Sequence, residues 1–279
     1  NPGTLYVGTA NGGVWKSVDA GGSWTPLTDR LSSLSIGDMT FDRSDPDKLY
    51  IGFGKQSNYS EIGGPLNSIR LSTDGGATWT SPDTNNVLIG KDIVRLAVDG
   101  LSMWVGIKNP EAGKTGLYLS TTGGAGLRRV ETTSGLAAGI ISDLRLDPAD
   151  SQIVYASVVG GAAGNGAYKS TDGGATWAKL ALPAAGNATQ RILLAVSGTT
   201  LAAGVVNGKE ADATVFYRST DGGATWISMK QPVTRDKDSD NGLPEQGLWP
   251  GGQFNNAALY IDPTDPNVIY VSGDRQPDN

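Results

Sequence analysis

The sequence contains neither cysteine nor histidine. Without cysteine there are no disulfides, no thiolate metal sites and no thiol nucleophile. Without histidine there is no Ser-His-Asp hydrolysis, no imidazole-bound zinc and no ordinary neutral-pH general base. Any catalysis must run on carboxylates, tyrosine, lysine or hydroxyls. Positive charge is also sparse: 22 Lys and Arg against 28 Asp and Glu leave a net charge of −6, and no basic block stands out. That disfavours nucleic-acid and anionic-membrane partners. No apolar run is long enough to span a bilayer, so membrane insertion is not expected. The chain opens at NPGTLYVG, a turn running into a strand, and reads as a mature chain or a fragment of a longer one.

What is abundant is glycine, 40 residues, with 14 prolines, which suits many short elements joined by tight turns. One phrase dominates. STDGGATW stands at Ser72–Trp79, Ser170–Trp177 and Ser219–Trp226, with a near copy at Ser17–Trp24 and a degraded one, STTGGAGL, from Ser120. The starts recur about every fifty residues, which marks a repeat architecture. Within a unit an alternating strand A leads to an Asp/Pro turn, as in Asp42–Lys48, Asp147–Gln152 and Asp262–Asn267. A Val/Ile/Tyr-rich strand B, a variable loop, strand C, the Asp-Gly-Gly turn and a strand D opening with Trp follow. Four strands per fifty residues predict an all-β fold, a β-propeller of four-stranded antiparallel blades. The expected blades are 1–27, 36–82, 91–131, 140–182 and 190–230, with a sixth beginning at 256–279, all in one domain. The first unit lacks strand A and the sixth stops early, so missing blades are expected from the rest of the chain or from a partner chain. Five to six blades are visible, and a seven-bladed ring is one way to complete them.

In the phrase, Asp19, Asp74, Asp172 and Asp221 can accept hydrogen bonds from their own turns, the glycines allow positive φ, and Trp24, Trp79, Trp177 and Trp226 can plug neighbouring blades. The phrase resembles the Asp-box (BNR-like) repeat of sialidases, two-propeller xyloglucanases, sortilin-type receptors and many uncharacterised secreted bacterial propellers. The resemblance covers essentially the whole chain. It implies the fold and a structural role for these eight residues, and it leaves activity open.

Up-and-down blades put the A–B turns and the Asp-boxes on one face and the B–C and D–A loops on the other. The second set varies in length and content, so binding is expected there. The candidates are Lys55, Tyr59, Glu61, Lys108, Glu245, Trp249, Phe254, Asp274 and Arg275. The aromatic members suit sugar rings, or simply anchor their own loops. A glycosidase needs two carboxyl groups across a cleft, and Glu61, Asp92, Asp143, Glu245 and Asp274 are positioned by the repeat to approach one. The opening Thr9–Ser17, TANGGVWKS, resembles the T-D-x-G-G start of the xyloglucanases, whose Asp belongs to the catalytic pair, but Ala10 stands at that position. The sialidase Arg-Ile-Pro segment is missing too: Arg191-Ile192 is followed by Leu193.

The segment 236–246, DKDSDNGLPEQ, resembles an oxygen-rich Ca²⁺ loop, with Asp236, Asp238 and Asp240 at alternating positions. Gly242 comes one residue later than an EF-hand requires, and Gly247 stands where the closing acid belongs. A solvated acidic loop is the competing reading, and no other cofactor is expected. The leading functional expectation is a non-catalytic, extracellular or cell-surface bacterial module that binds glycan or protein through the variable face. The alternatives are a polysaccharide-degrading glycoside hydrolase and a structural or assembly-factor propeller.

Overall fold

The computed structural model describes residues 3–56, 63–160, 162–207, 214–230, 233–234, 246–247 and 257–272. The chain divides into two compact units, 1–111 with 115–130, and 112–114 with 131–279. Both are built of short antiparallel sheets.

In the first unit, β1 (Leu5–Thr9), β2 (Gly13–Ser17) and β3 (Thr25–Pro26) form a three-stranded blade 1. Blade 2 has β4 (Ile36–Phe41), β5 (Leu49–Phe53) and β6 (Ile69–Ser72). The expected fourth strand of blade 2 is reduced to a single bridge, Leu71 to Thr80. Pro82, which has no N–H, stands two residues after Thr80 and cannot extend the ladder. Blade 3 is four-stranded: β7 (Ile93–Asp99), β8 (Ser102–Ile107), β9 (Leu117–Ser120) and β10 (Arg128–Arg129).

The second unit holds blade 4, β11 (Ile140–Leu146), β12 (Val154–Val159), β13 (Gly166–Ser170) and β14 (Ala178–Lys179). Blade 5 has β15 (Arg191–Ser197), β16 (Thr200–Val206), β17 (Thr214–Ser219) and β18 (Ile227–Ser228). A two-residue pair, β19 (Val233–Thr234) with β20 (Gln246–Gly247), precedes a hairpin of β21 (Ala258–Ile261) and β22 (Ile269–Ser272).

The core lies between blades. In blade 5, Ile192, Leu194, Leu201, Ala203 and Val205 join Tyr155 and Ala167 of blade 4 on one side. Leu193, Ala195, Ala202 and Phe216 join Leu259 and Ile261 on the other. Strand alternation sends successive side chains to opposite faces, and here both faces are dry. The first unit repeats this: Val14, Ile36, Ile51 and Phe53 pack between blades 1 and 2, with Trp79 and Leu27 against them. Each fully buried side chain of this size is worth roughly 1.5–3 kcal/mol.

The intact boxes share one hydrogen-bond scheme. One carboxylate oxygen of Asp19, Asp74, Asp172 and Asp221 accepts from the serine two residues earlier and from the N–H four residues later. The other accepts from the Ser or Thr hydroxyl four residues later, and all these distances fall between 2.5 and 2.9 Å. The serine oxygen in turn accepts the N–H of the second turn glycine, as at Gly76 and Gly174. In the degraded box the Thr122 hydroxyl donates to the Ala125 carbonyl across the turn, so a neutral bridge replaces the carboxylate and the hairpin keeps its shape.

These donors hold all four carboxylates down at about 2, from an ordinary 3.8; the Ser17 hydroxyl leads at Asp19 and the threonine hydroxyl at the other three. A folded-state pKa below the unfolded one adds stability that is complete above the unfolded value and is lost as pH falls through the folded one. The melting temperature should therefore drop between about pH 4 and pH 2. The triple change Asp74→Asn, Asp172→Asn, Asp221→Asn should lower the neutral melting temperature and flatten that acid limb, as read by thermal melts across pH. The limb should persist in part, because Asp45 and Asp262 are lowered as well.

Candidate functional site

The loops between strands B and C, and between strand D and the next strand A, lie opposite the boxes along each blade. The structure brings two of the sequence candidates together. Lys55, in the B–C loop of blade 2, donates its N–H to Asp92 Oδ1 at 2.7 Å. Lys108, in the B–C loop of blade 3, donates its N–H to the Asp92 carbonyl at 2.9 Å, and Asn109 Oδ1 accepts the Asp92 N–H at 2.7 Å. Both lysine side chains are half-buried. Asp92 is 4% exposed. Its carboxylate is thus a junction between loops and is turned away from solvent.

Asp143 is more enclosed still, at 0% exposure. It sits where β11 shifts register between Ile141 and Asp143. The bulge turns the side chain toward blade 5, where Asp143 Oδ2 accepts the Leu194 N–H at 2.8 Å. Arg145 lies 3.3 Å away and donates to the Leu194 carbonyl. Asp38 does the same in the first unit. It follows a register shift after Ile36, and its Oδ2 accepts the Leu96 N–H of blade 3 at 2.7 Å. Two of the carboxylates expected near a cleft, Asp92 and Asp143, are therefore buried, the first accepting the Lys55 N–H and the second the Leu144 and Leu194 N–H groups and the Arg145 guanidinium.

Several polar residues passed over in the sequence organise this face. Ser35, 2% exposed, donates to Asn11 Oδ1 at 2.9 Å and accepts the Gly64 N–H, tying the B–C loop beside Ala10 to that of blade 2. Asn109 and Asn207 follow strand B of blades 3 and 5, two repeat periods apart, and each donates to a carbonyl of the preceding D–A segment, Gly90 and Ala184 respectively. That spacing was the available signal. Glu111 in blade 3 is an exposed loop carboxylate, 3.4 Å from Arg129. Tyr59, Glu61, Asp236, Asp238, Asp240, Glu245, Trp249, Phe254, Asp274 and Arg275 lie outside the described residues.

The architecture has counterparts of known structure. An ancestral GH74 enzyme superposes over 97% of this chain and 33% of its own, with a TM-score of 0.66 at 18% identity. The GH74 xyloglucanase from Xanthomonas campestris covers 97% of this chain and 49% of its own, with a TM-score of 0.57 at 20% identity. The fold is a β-propeller. No family model matches the chain. In sequence it is 30% identical over 185 residues to a xyloglucanase from Hypocrea jecorina (strain QM6a), covering 64% of this chain and 16% of that protein. It is 27% identical over 182 residues to a xyloglucanase from Paenibacillus sp, covering 63% and 13%. The chain thus spans about a sixth or less of the length of these curated relatives.

Replacing Asp143 with alanine would leave the buried Leu194 N–H without its acceptor, so Asp143→Ala should lower unfolding stability by about 2 kcal/mol. Urea denaturation measures this. Asp143→Asn, which keeps one acceptor oxygen, should lose less.

Proposed function

We propose that this chain is a propeller portion of an extracellular xyloglucan-degrading glycoside hydrolase, and that its variable-loop face contacts the polysaccharide. The observation that carries this reading is the likeness to xyloglucanases along 64% of the chain. It favours the hydrolase alternative over the non-catalytic module that the sequence first suggested. The four Asp-boxes serve as scaffold in this reading, since each carboxylate is occupied by three donors of its own turn.

The catalytic pair must avoid residue 10, because an alanine transfers no proton. It must also avoid Asp92 and Asp143, whose oxygens are enclosed. Glu61, Glu245 and Asp274 remain from the sequence shortlist, joined by the exposed Glu111. A proton donor and a second carboxylate from this set would act across the glycosidic bond, their separation deciding inversion or retention. Tyr59, Trp249 and Phe254 supply flat apolar surfaces on which the C–H face of a sugar can lie. Ala10 also favours a second reading, in which this portion grips glycan while hydrolysis depends on residues elsewhere.

Affinity electrophoresis and a reducing-sugar assay on xyloglucan separate these readings. The polysaccharide should retard the protein, and Tyr59→Ala with Trp249→Ala should weaken that retardation. Sugar release should fall by about a hundredfold or more when a member of the pair, tested as Glu→Gln or Asp→Asn, is neutralised. Retardation without release selects the glycan-gripping reading. Neither retardation nor release removes both.

A further inference from the structure

Among the described residues the dipeptide Asn-Gly stands at Asn11-Gly12 and at Asn165-Gly166. The pair is reactive by construction. The asparagine Cγ and the next main-chain nitrogen can close a five-membered ring, and glycine puts no Cβ in the way and permits the backbone rotation that joins them. The two copies sit in opposite surroundings.

Asn165 is 2% exposed, and its amide nitrogen donates to the Gly186 and Thr189 carbonyls at 2.9 and 3.3 Å. Gly166 opens β13 and pairs with Val158. Side chain and main chain are both fixed, so Cγ cannot swing onto the Gly166 nitrogen without opening the strand. Asn11, by contrast, is exposed with Gly12 in the turn between β1 and β2. No described residue holds its amide nitrogen. Its amide oxygen accepts the Ser35 hydroxyl at 2.9 Å. The Ser35 oxygen already accepts the Gly64 N–H, which leaves its own proton for Asn11, and burial keeps this donor in place.

Ring closure puts negative charge on the Asn11 amide oxygen, and a fixed donor aimed at developing charge lowers the barrier. Ser35 is such a donor. The Gly12 N–H meets Thr9 Oγ1 at 2.8 Å, while the Thr9 hydroxyl gives its own proton to the Gly13 carbonyl. The bond to Thr9 must open before the Gly12 nitrogen loses its proton, so Thr9 restrains the reaction that Ser35 assists.

We propose that Asn11 is a self-modifying site, deamidating in the folded protein through a succinimide formed with Gly12 and assisted by Ser35. Hydroxide takes the Gly12 N–H proton, and the nitrogen bonds to Asn11 Cγ. The Cγ–Nδ2 bond then breaks, and Nδ2 leaves as ammonia after taking a proton from water. Water opens the ring at one of its two carbonyls, which gives aspartate or isoaspartate at position 11. One water enters and one ammonia leaves, with no change of oxidation state. The product sets a carboxylate beside Ala10 on the variable face and makes the chain one charge more negative than −6. The isoaspartate form also adds a methylene to the main chain of the turn. The proposal is independent of the glycan reading.

The test incubates the 279-residue chain in mildly alkaline buffer, folded and in urea, and follows Asn11 and Asn165 by peptide mass mapping. In the folded chain Asn11 should convert at least about a hundredfold faster than Asn165, whose reaction awaits strand opening. In urea the two rates should agree within about threefold. Ser35→Ala should slow Asn11 by about fivefold or more in the folded chain and change nothing in urea, while Ser35→Thr should keep the rate. Thr9→Val should raise it. An Asn11 that stays an amide in the folded chain while converting in urea overturns the proposal, as does a folded Asn165 that converts as fast as Asn11. A merely structural Ser35 would loosen the turn when lost and speed conversion, so an unchanged or faster rate in Ser35→Ala overturns its part.

Discussion

Strand β16, Thr200–Val206, is buried at every position. A sheet is one residue thick, so this requires apolar layers on both of its sides, and blade 5 obtains them from blade 4 and from the β21–β22 hairpin. No blade can supply that cover for itself. Stability is therefore a property of interfaces, in the manner of repeat proteins whose units contact mainly their neighbours. The chemistry of the molecule is set by the same rule, because polar groups drawn into an interface must find partners there and are withdrawn from solvent.

The aspartates divide along this line. Those of the boxes sit at hairpin tips, exposed, and satisfy amides within eight residues of sequence. Asp38 and Asp143 sit at register shifts and satisfy amides more than fifty residues away. Both groups serve the fold, yet only the first carries a local signature. A carboxylate is a strong acceptor on a short stem, which suits it equally to a turn and to a strand whose neighbour has an unpaired N–H.

This explains what could be read from the chain. The repeated phrase, the positive-φ glycines and the Thr-Trp opening of strand D are local, and they announce the hairpins and their period directly. The burial of Asp92 and Asp143 is decided by residues in other blades, Lys55 for one and Leu194 for the other, and by bulges that no pattern of alternation marks. Ser35 likewise looks like one of several serines in a loop until Asn11 and Gly64 are beside it. Asn109 and Asn207 were legible in principle, since their spacing follows the repeat, but a single asparagine in a variable loop carries little weight alone. The shortened edge of blade 2 shows a smaller effect of the same kind, where Pro82 ends a ladder that the repeat would have continued.

Asp38 and Asp143 reach forward to the next blade, as do Lys16 and Lys169, which donate to the Gly75 and Gly222 carbonyls there, and this gives the array a polarity. Each junction joins two dissimilar surfaces, so it is heterologous in the sense used for subunit assemblies. Head-to-tail junctions contain no intrinsic stopping rule, and only geometric closure or a specialised terminal unit limits their number. Duplication of one fifty-residue segment can therefore lengthen such a chain without inventing a new contact, while its loops diverge freely on the opposite rim.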